Sequence, residues 1–433
     1  MVSGFPAFLK RPAPRMRLWA LLFFLLLPLC PSRDVPAANL TGYYKNFFTV
    51  LDPPSYVNTA PAAWQKTMGL VTNRIRLEYS HRLPGNMVFQ GAYNLVPRVQ
   101  DRTLFSNNPF LINIDPTRYR VVDLKDRIYP DNTSESESVG LYQNLDRAYV
   151  RWSLPQADVY IGRQAIAWGS ARVVNPIDVI APYSLEELDT ENRIGVDALR
   201  VRIPMGFMGE IDAGYVAGKN FDWKQSAVFL RNKMYVAETD LTMLAAVFRE
   251  NLLLGVDVAR SVGGAGVYLE AGYVFLDPFQ SDRALVNDYF RGTAGLDYSL
   301  SDGTYLFVEY HYNQAGVKET QDYYWNLVQN EAYSEGSVYL MGQSYIIPGI
   351  SHQITPLLTL SGQIMYNVDD RSAFLTPTLE YNIAENIYLG GGLMVGLGKR
   401  PFLGDAGGTP FPVFRSEFGS YPELAYTTFR VYF

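Results

Sequence analysis

The sequence predicts an all-β protein: a transmembrane antiparallel up-and-down β-barrel of 16 to 18 strands, with 18 preferred. Three observations support this. Apolar and polar residues alternate in segments of about ten residues, the length of a membrane-spanning strand. Short turns and long loops alternate between these segments, and the final stretch LAYTTFRVYF keeps the alternation up to Phe433. The 31 tyrosines and 24 phenylalanines also suit strands.

The alternation gives each segment two chemically different faces. In residues 265–276, Val267, Leu269 and Tyr273 share one face and Glu270 lies on the other. A soluble β-sandwich would bury the apolar face against a second sheet, whereas a membrane barrel turns it toward lipid. The predicted strands cover residues 41–50, 69–80, 86–99, 141–153, 157–166, 195–205, 208–217, 226–236, 240–249, 252–260, 265–276, 290–300, 304–313, 337–350, 357–368, 372–383, 387–397 and 423–433.

The loop rhythm favours the membrane barrel, because short turns on one rim and long loops on the other are typical of bacterial outer-membrane barrels. An even strand number places both chain ends on the periplasmic, short-turn side. A miscount at 226–236 and 240–252 would reduce the number of strands to sixteen. The predicted long loops cover residues 51–68, 100–140, 167–194, 277–289, 314–336 and 398–422.

Residues 1–37 predict a secretory signal peptide, so residues 38–433 form the single barrel domain with long extracellular loops. The first 17 residues are basic without an acid, the apolar run 18–30 is short, and Val35-Pro36-Ala37 offers a cleavage site. Removing this segment also removes Cys30, the only cysteine, so no disulfide is expected. The formal net charge of −6 argues against nucleic acid as a partner.

The closing strand resembles the C-terminal strand of Gram-negative outer-membrane proteins, with Phe429, Val431 and Phe433 at alternate positions. The resemblance implies recognition of Phe433 by the barrel-assembly machinery. It also implies a place in the bacterial cell outer membrane, among outer-membrane lipid and lipopolysaccharide.

Side-chain parity also assigns ionisable residues to the interior. Arginines concentrate on the early strands and on the last, whereas acids concentrate on later strands, so a basic wall and an acidic wall are expected to face each other. Such walls would set up a transverse field in a water-filled lumen; alternatively, the charges pair and fill a plugged interior. The predicted pore-lining residues are Arg74, Arg76, Arg147, Arg151, Arg163, Arg200, Arg202, Arg430, Glu270, Asp297, Glu309 and Glu380.

Arg163 is an exception to parity, because strict alternation directs its side chain toward lipid. A β-bulge at Gly162 is expected to turn the side chain inward, as bulges often do.

Loop 167–194 combines many apolar residues with several acids, an unusual composition for an exposed loop. It is the third long loop along the chain, and in this position and in composition it is similar to the third loop of general porins, which folds into the lumen as a constriction. Alternatively, it caps the barrel mouth. The predicted constriction residues are Trp168, Asn175, Asp178, Glu186 and Glu187.

The spacing GRQ…WG…NPxD resembles a group of proteobacterial porin-like proteins, as does GYYKNFF at 42–48. The resemblance implies the barrel fold and outer-membrane placement. Its residues here are Gly162, Arg163, Gln164, Trp168, Gly169, Asn175, Pro176 and Asp178.

These features predict a porin-like channel for passive diffusion of small polar or anionic solutes. The alternative is a dedicated exporter or a scaffold that sheathes a partner component, with a lumen plugged by loops 100–140 and 314–336. An enzyme is not expected, because His311, beside Glu309, has no serine tied to it by sequence. With three histidines in the chain, no metal or other cofactor is expected; the oligomeric state stays open.

Overall fold

The computed structural model describes residues 39–57, 66–105, 119–130, 137–182, 188–279, 288–334, 337–406 and 409–433. The predicted signal peptide, residues 1–37, lies outside the described residues.

The described chain forms a closed antiparallel barrel of eighteen strands, which confirms the predicted fold class and the preferred strand number. The segments 226–236 and 240–252 contribute separate strands. Along the chain the strands are β1 (Asn39–Asp52), β2 (Met68–Leu83), β3 (Met87–Gln100), β4 (Val139–Ser153), β5 (Asp158–Gln164), β6 (Val196–Met205), β7 (Gly209–Val216), β8 (Ala227–Val236), β9 (Thr239–Phe248), β10 (Asn251–Val262), β11 (Ala265–Phe275), β12 (Tyr289–Ser299), β13 (Tyr305–Asn313), β14 (Ser344–Thr355), β15 (Leu358–Asn367), β16 (Ser372–Leu375 and Thr378–Ala384), β17 (Ile387–Leu397) and β18 (Glu423–Tyr432).

Strand β16 is interrupted between its two halves at Pro377, which has no N–H to donate to a neighbouring strand. The sheet continues across the gap, because the Thr376 N–H donates to Gln363 O at 3.0 Å and the Leu393 N–H donates to Pro377 O at 3.0 Å.

The barrel closes where β18 pairs with β1. Beyond the last paired strand residue, the Gly42 N–H donates to Phe433 O at 2.8 Å and the Phe433 N–H donates to Gly42 O at 2.9 Å. Closure leaves no strand edge unpaired around the ring, as a hydrocarbon environment requires.

The long loops contain short strands, short helices and 3-10 turns. Among the described residues no helix is long and apolar enough to cross a bilayer. Strand Arg127–Tyr129 pairs with β4, and Phe402–Ala406 pairs with Thr409–Val413 as a separate hairpin. The helices are α1 (Tyr323–Gln329) and α2 (Glu331–Ser334), with 3-10 turns at Arg102–Phe105, Lys219–Phe221, Trp223–Gln225, Thr320–Asp322 and Phe418–Ser420.

The predicted strand 337–350 is wrong at its start, since β14 begins at Ser344 and runs to Thr355. The apolar residues that suggested the earlier start, Val338, Leu340 and Met341, are buried inside the preceding loop. Val338 and Leu340 pack with residues of the lumen loop and of the inner barrel face, and alternation alone does not distinguish such a buried loop from a lipid-facing strand.

The two faces of the strands differ as expected for a membrane barrel. On β11, Val267, Leu269 and Tyr273 are 44%, 49% and 37% exposed, whereas Glu270 and Tyr268 are buried on the inner face. Apolar side chains therefore cover the outside of the barrel, and polar ones lie within.

Candidate functional site: a lumen divided by one loop

We call the loop between β5 and β6, residues 165–195, the lumen loop, because its described residues, 165–182 and 188–195, run inside the barrel. Its described apolar residues are buried: Ile166 and Ile177 are 0% exposed, and Ile180 is 3% exposed. They pack with inner-face residues of distant strands, including Phe229 and Leu253. The apolar composition noted in the sequence thus reflects a packed interior segment.

The first half of the lumen loop is held by carboxylates on the inner face of the barrel. Glu270 on β11 accepts backbone N–H groups from Ser170 at 3.0 Å, Ala171 at 3.2 Å and Ile177 at 3.0 Å. Gly169 makes this approach possible, since its φ is +107° and a Cβ there would lie 2.5 Å from Glu270 Oε2. The glycine of the WG pair is therefore required by geometry.

A second carboxylate, Glu309 on β13, accepts the N–H groups of Arg172 at 2.5 Å and Val173 at 3.1 Å. The Tyr268 hydroxyl donates to it at 2.9 Å. The Arg172 side chain forms an ion pair with Asp297 on β12 at 2.6 Å. The acidic wall is therefore occupied by the loop.

The second half of the lumen loop is held by cations on the opposite side. Asp189 Oδ1 lies 2.8 Å from Lys45 Nζ on β1, and Asp189 Oδ2 lies 2.7 Å from Arg74 on β2. Burial raises the pKa of the Asp189 carboxyl, but the charges of Arg74 and Lys45 outweigh it and leave that pKa below its ordinary value. Lys45 also forms an ion pair with Glu191.

Sequence reasoning missed Lys45. The signal was present, because Lys45 alternates with Tyr43 and Phe47 in GYYKNFF, and all three side chains are buried. In register, Lys45 lies opposite Arg74 on one side and Arg430 on the other.

Most other arginines of the expected basic wall are paired with nearby carboxylates. Arg76 and Arg147 both lie 2.7 Å from Asp146, which a register shift between β3 and β4 turns inward. Arg200 lies 2.6 Å from Asp212. Arg202 likewise forms an ion pair with Glu210 on β7.

Arg163 is buried, but the bulge predicted at Gly162 is wrong. The β4–β5 register runs through without a shift and places Arg163 opposite Ala148. Gly162 instead adopts φ +117°, and a Cβ there would lie 2.3 Å from Ala148 O. Arg163 is held by ion pairs to Asp197 at 2.8 Å and Asp123 at 2.9 Å.

The open space of the interior is a cavity of about 770 Å³ between the lumen loop and the wall formed by β15–β18. On the wall it is bordered by small and hydroxyl-bearing residues such as Thr378, Gly390 and Thr428. A smaller cavity of about 230 Å³ lies toward the short-turn rim and is lined in part by Arg76 and Arg147.

Of the residues predicted to line the pore or the constriction, five border the larger cavity: Trp168, Asn175, Asp178, Glu380 and Arg430. Trp168 packs edge-on against Phe229, with ring centroids 4.8 Å apart. Glu186 and Glu187 lie outside the described residues. The predicted residues bordering neither cavity are Arg74, Arg151, Arg163, Arg200, Arg202, Glu270, Asp297 and Glu309.

Charged groups around the larger cavity include arginines that the sequence reasoning did not select. Arg172 and Arg193 belong to the lumen loop, and Arg291 on β12 donates to Ser337 O at 2.6 Å. A signal was available for Arg172, which lies three residues before the NPxD segment.

Asp178 is the most buried acid of this lining, at 1% exposure, and lies 3.1 Å from Arg193. Burial raises the pKa of Asp178 to about 6, although Arg193 acts in the opposite direction.

Arg430 on β18 forms an ion pair with Glu380 on β16, two strands away. The register places Gly390 of the intervening β17 opposite Glu380. On β17 itself Arg430 lies opposite Tyr388, and its guanidinium is 5.4 Å from the centroid of that ring. Arg430 and Glu380 are 22% and 46% exposed, so both remain accessible from the cavity.

Residues considered for catalysis are engaged in structural contacts. His311 is buried and lies 2.8 Å from the Thr293 hydroxyl, while Glu309 binds the lumen loop instead of His311. Within the described ranges no group of three His, Cys, Asp or Glu side chains is placed to hold a metal ion.

No protein-family model and no curated protein is detectably similar to this chain. Solved structures with the same fold include Acinetobacter baumannii OccAB2, at 9% identity and a TM-score of 0.57, covering 92% of this chain and 98% of that one. Pseudomonas aeruginosa OccK8 (OprE) has 8% identity and a TM-score of 0.54, with 92% and 98% covered. Pseudomonas aeruginosa OpdK, solved with vanillate, has 10% identity and a TM-score of 0.53, again with 92% and 98% covered. The fold is the eighteen-stranded barrel of outer-membrane porins.

Proposed function

We propose that this chain is an outer-membrane porin-like channel through which small polar or anionic solutes diffuse passively. The observation that carries the proposal is the cavity of about 770 Å³ left between the lumen loop and β15–β18. Among solved barrels of this fold, Pseudomonas aeruginosa OpdK was crystallised with vanillate.

The outer-membrane location is part of the proposal. Exposed apolar residues on the outside of the strands support it, together with a closed ring that leaves no strand edge to lipid. The predicted signal peptide and the closing strand ending at Phe433 fit export and assembly by the barrel-assembly machinery, in contact with lipid and lipopolysaccharide.

A preference for anions follows from the cavity lining. Four arginines border the cavity against three acids: Arg172, Arg193, Arg291 and Arg430 against Asp178, Asp189 and Glu380. The arginines of β2, β4 and β6 contribute less, because none of them borders this cavity. We therefore assign solute contact to the cavity arginines and not to the full basic wall predicted from the sequence.

Reconstitution in planar bilayers tests this function. Stepwise conductance is expected, with a reversal potential in a salt gradient that indicates a modest preference for anions. Failure of correctly folded protein to conduct at any voltage would count against a channel, and a cation preference would count against the arginine assignment.

A further inference from the structure

Five backbone N–H groups in the first half of the lumen loop end on two carboxylates of the barrel wall. Glu270 takes those of Ser170, Ala171 and Ile177, and Glu309 takes two more, from Arg172 and Val173. Both carboxylates are 0% exposed. A buried backbone N–H group without an acceptor is costly, so these two side chains hold a segment without regular secondary structure of its own.

Glu270 and Glu309 attach the loop to the side of the barrel that lies away from the larger cavity. Glu270 and Glu309 lie on β11 and β13, whereas the larger cavity separates the lumen loop from β15–β18. A loop segment released from β11 and β13 can move only toward the cavity, because the wall is already packed behind it.

Other charged groups around these carboxylates do not replace them. Asp257 on β10 accepts the Ser170 hydroxyl and Asp297 on β12 binds the Arg172 side chain, so each reaches a side chain of the loop. Asp178 of the loop itself is paired with Arg193. The backbone contacts belong to Glu270 and Glu309.

We propose that Glu270 and Glu309 are positioning residues of the channel: they hold residues 170–177 against β11 and β13 and so keep the passage along β15–β18 open. The claim that the passage stays open rests on the proposed function, whereas the claim that Glu270 and Glu309 hold residues 170–177 does not.

The test combines amide hydrogen exchange and single-channel recording on the full chain carrying Glu270→Gln and Glu309→Gln together. Amides of residues 170–177 are expected to exchange at least about tenfold faster than in the unmodified protein, since each side chain loses one of its two acceptor oxygens. The open-channel current is expected to keep its full level but to be interrupted by brief closures.

Glu210→Gln is the matched control, because Glu210 faces the interior from β7 and pairs with Arg202 without contacting the lumen loop. It is expected to leave exchange at 170–177 and the steady current unchanged. If the double variant does not form a heat-modifiable barrel, the single variant Glu309→Gln is measured in the same way, with faster exchange at Arg172 and Val173 as the readout.

Unchanged exchange at 170–177 in a folded variant overturns the proposal. Faster exchange with an uninterrupted current overturns the claim that the hold keeps the passage open. If the unmodified protein carries no current, the proposed function fails, and the exchange measurement still decides whether the two carboxylates hold the loop.

Discussion

The ammonium group of Lys45 on β1 lies 2.8 Å from the carboxylate of Asp189, 144 residues further along the chain. Both side chains are almost fully buried, and Arg74 reaches the other oxygen of the same carboxylate. This contact joins the lumen loop to the strands at which the barrel closes.

Replacing Lys45 with Met is expected to destabilise the barrel by about 3 kcal/mol or more, because it leaves a buried carboxylate with only one of its cations. Urea unfolding in micelles, followed by tryptophan fluorescence, measures the change. The control is Lys66→Met, which removes an ion pair to Asp101 in which Lys66 is 58% exposed; its expected cost is below about 1 kcal/mol. Equal costs for the two variants would contradict a role for burial.

Replacing Arg430 with Ser is expected to shift the reversal potential toward cation selectivity, since it removes a guanidinium that borders the cavity and leaves Glu380 unpaired. Arg200→Ser is the comparison, because Arg200 pairs with Asp212 and borders neither cavity. A larger shift from Arg200→Ser than from Arg430→Ser would place the solute path on the other side of the lumen.

Selectivity is expected to depend on pH through Asp178. With a pKa of about 6, this carboxyl is ionised at pH 7.5 and protonated at pH 5, so acidification removes one negative charge from the cavity lining. Reversal potentials measured at the two pH values should therefore move toward anion selectivity at pH 5. Asp178→Asn should lack this shift, and an equal shift in that variant would assign the titration to another group.

Glu417 predicts a pH dependence of loop stability. Burial raises the pKa of Glu417 from its ordinary value of 4.5 to about 7, although the Tyr345 hydroxyl and the Met341 N–H, at 3.0 Å, favour its ionised form. A raised folded pKa means that the stabilising contribution is complete below pH 4.5 and declines as the pH rises through about 7. Protection of the Met341 amide, corrected for intrinsic exchange, is expected to fall over this range.

Glu417→Gln is the control for that measurement, since its neutral amide has a similar shape and does not titrate. Protection at Met341 should then be independent of pH. A fall of the same size in the variant would exclude Glu417 as its origin.

Alternation and the loop rhythm together were sufficient to predict the barrel and its preferred eighteen strands, and alternation predicted the inner or outer face of residues such as Glu270 and Leu269. The reason is physical: a strand repeats every two residues, so composition along the chain maps directly onto two faces. Alternation failed at 337–343, where a loop packed against the interior of the barrel has the alternation of a strand.

The sequence by itself determined that arginines and carboxylates such as Arg74 and Glu270 face inward and that the loop after β5 is unusually apolar. Only the tertiary structure decided that this loop contacts both the basic strands and the acidic strands. Lys45 and Arg74 bind Asp189, whereas Glu270 accepts backbone N–H groups of the loop. Partners separated by about a hundred residues are brought together by closure of the ring, and neither residue type nor spacing encodes which pairs will meet. The larger cavity therefore lies along the wall that the loop leaves uncovered, where Arg430 and Glu380 lie.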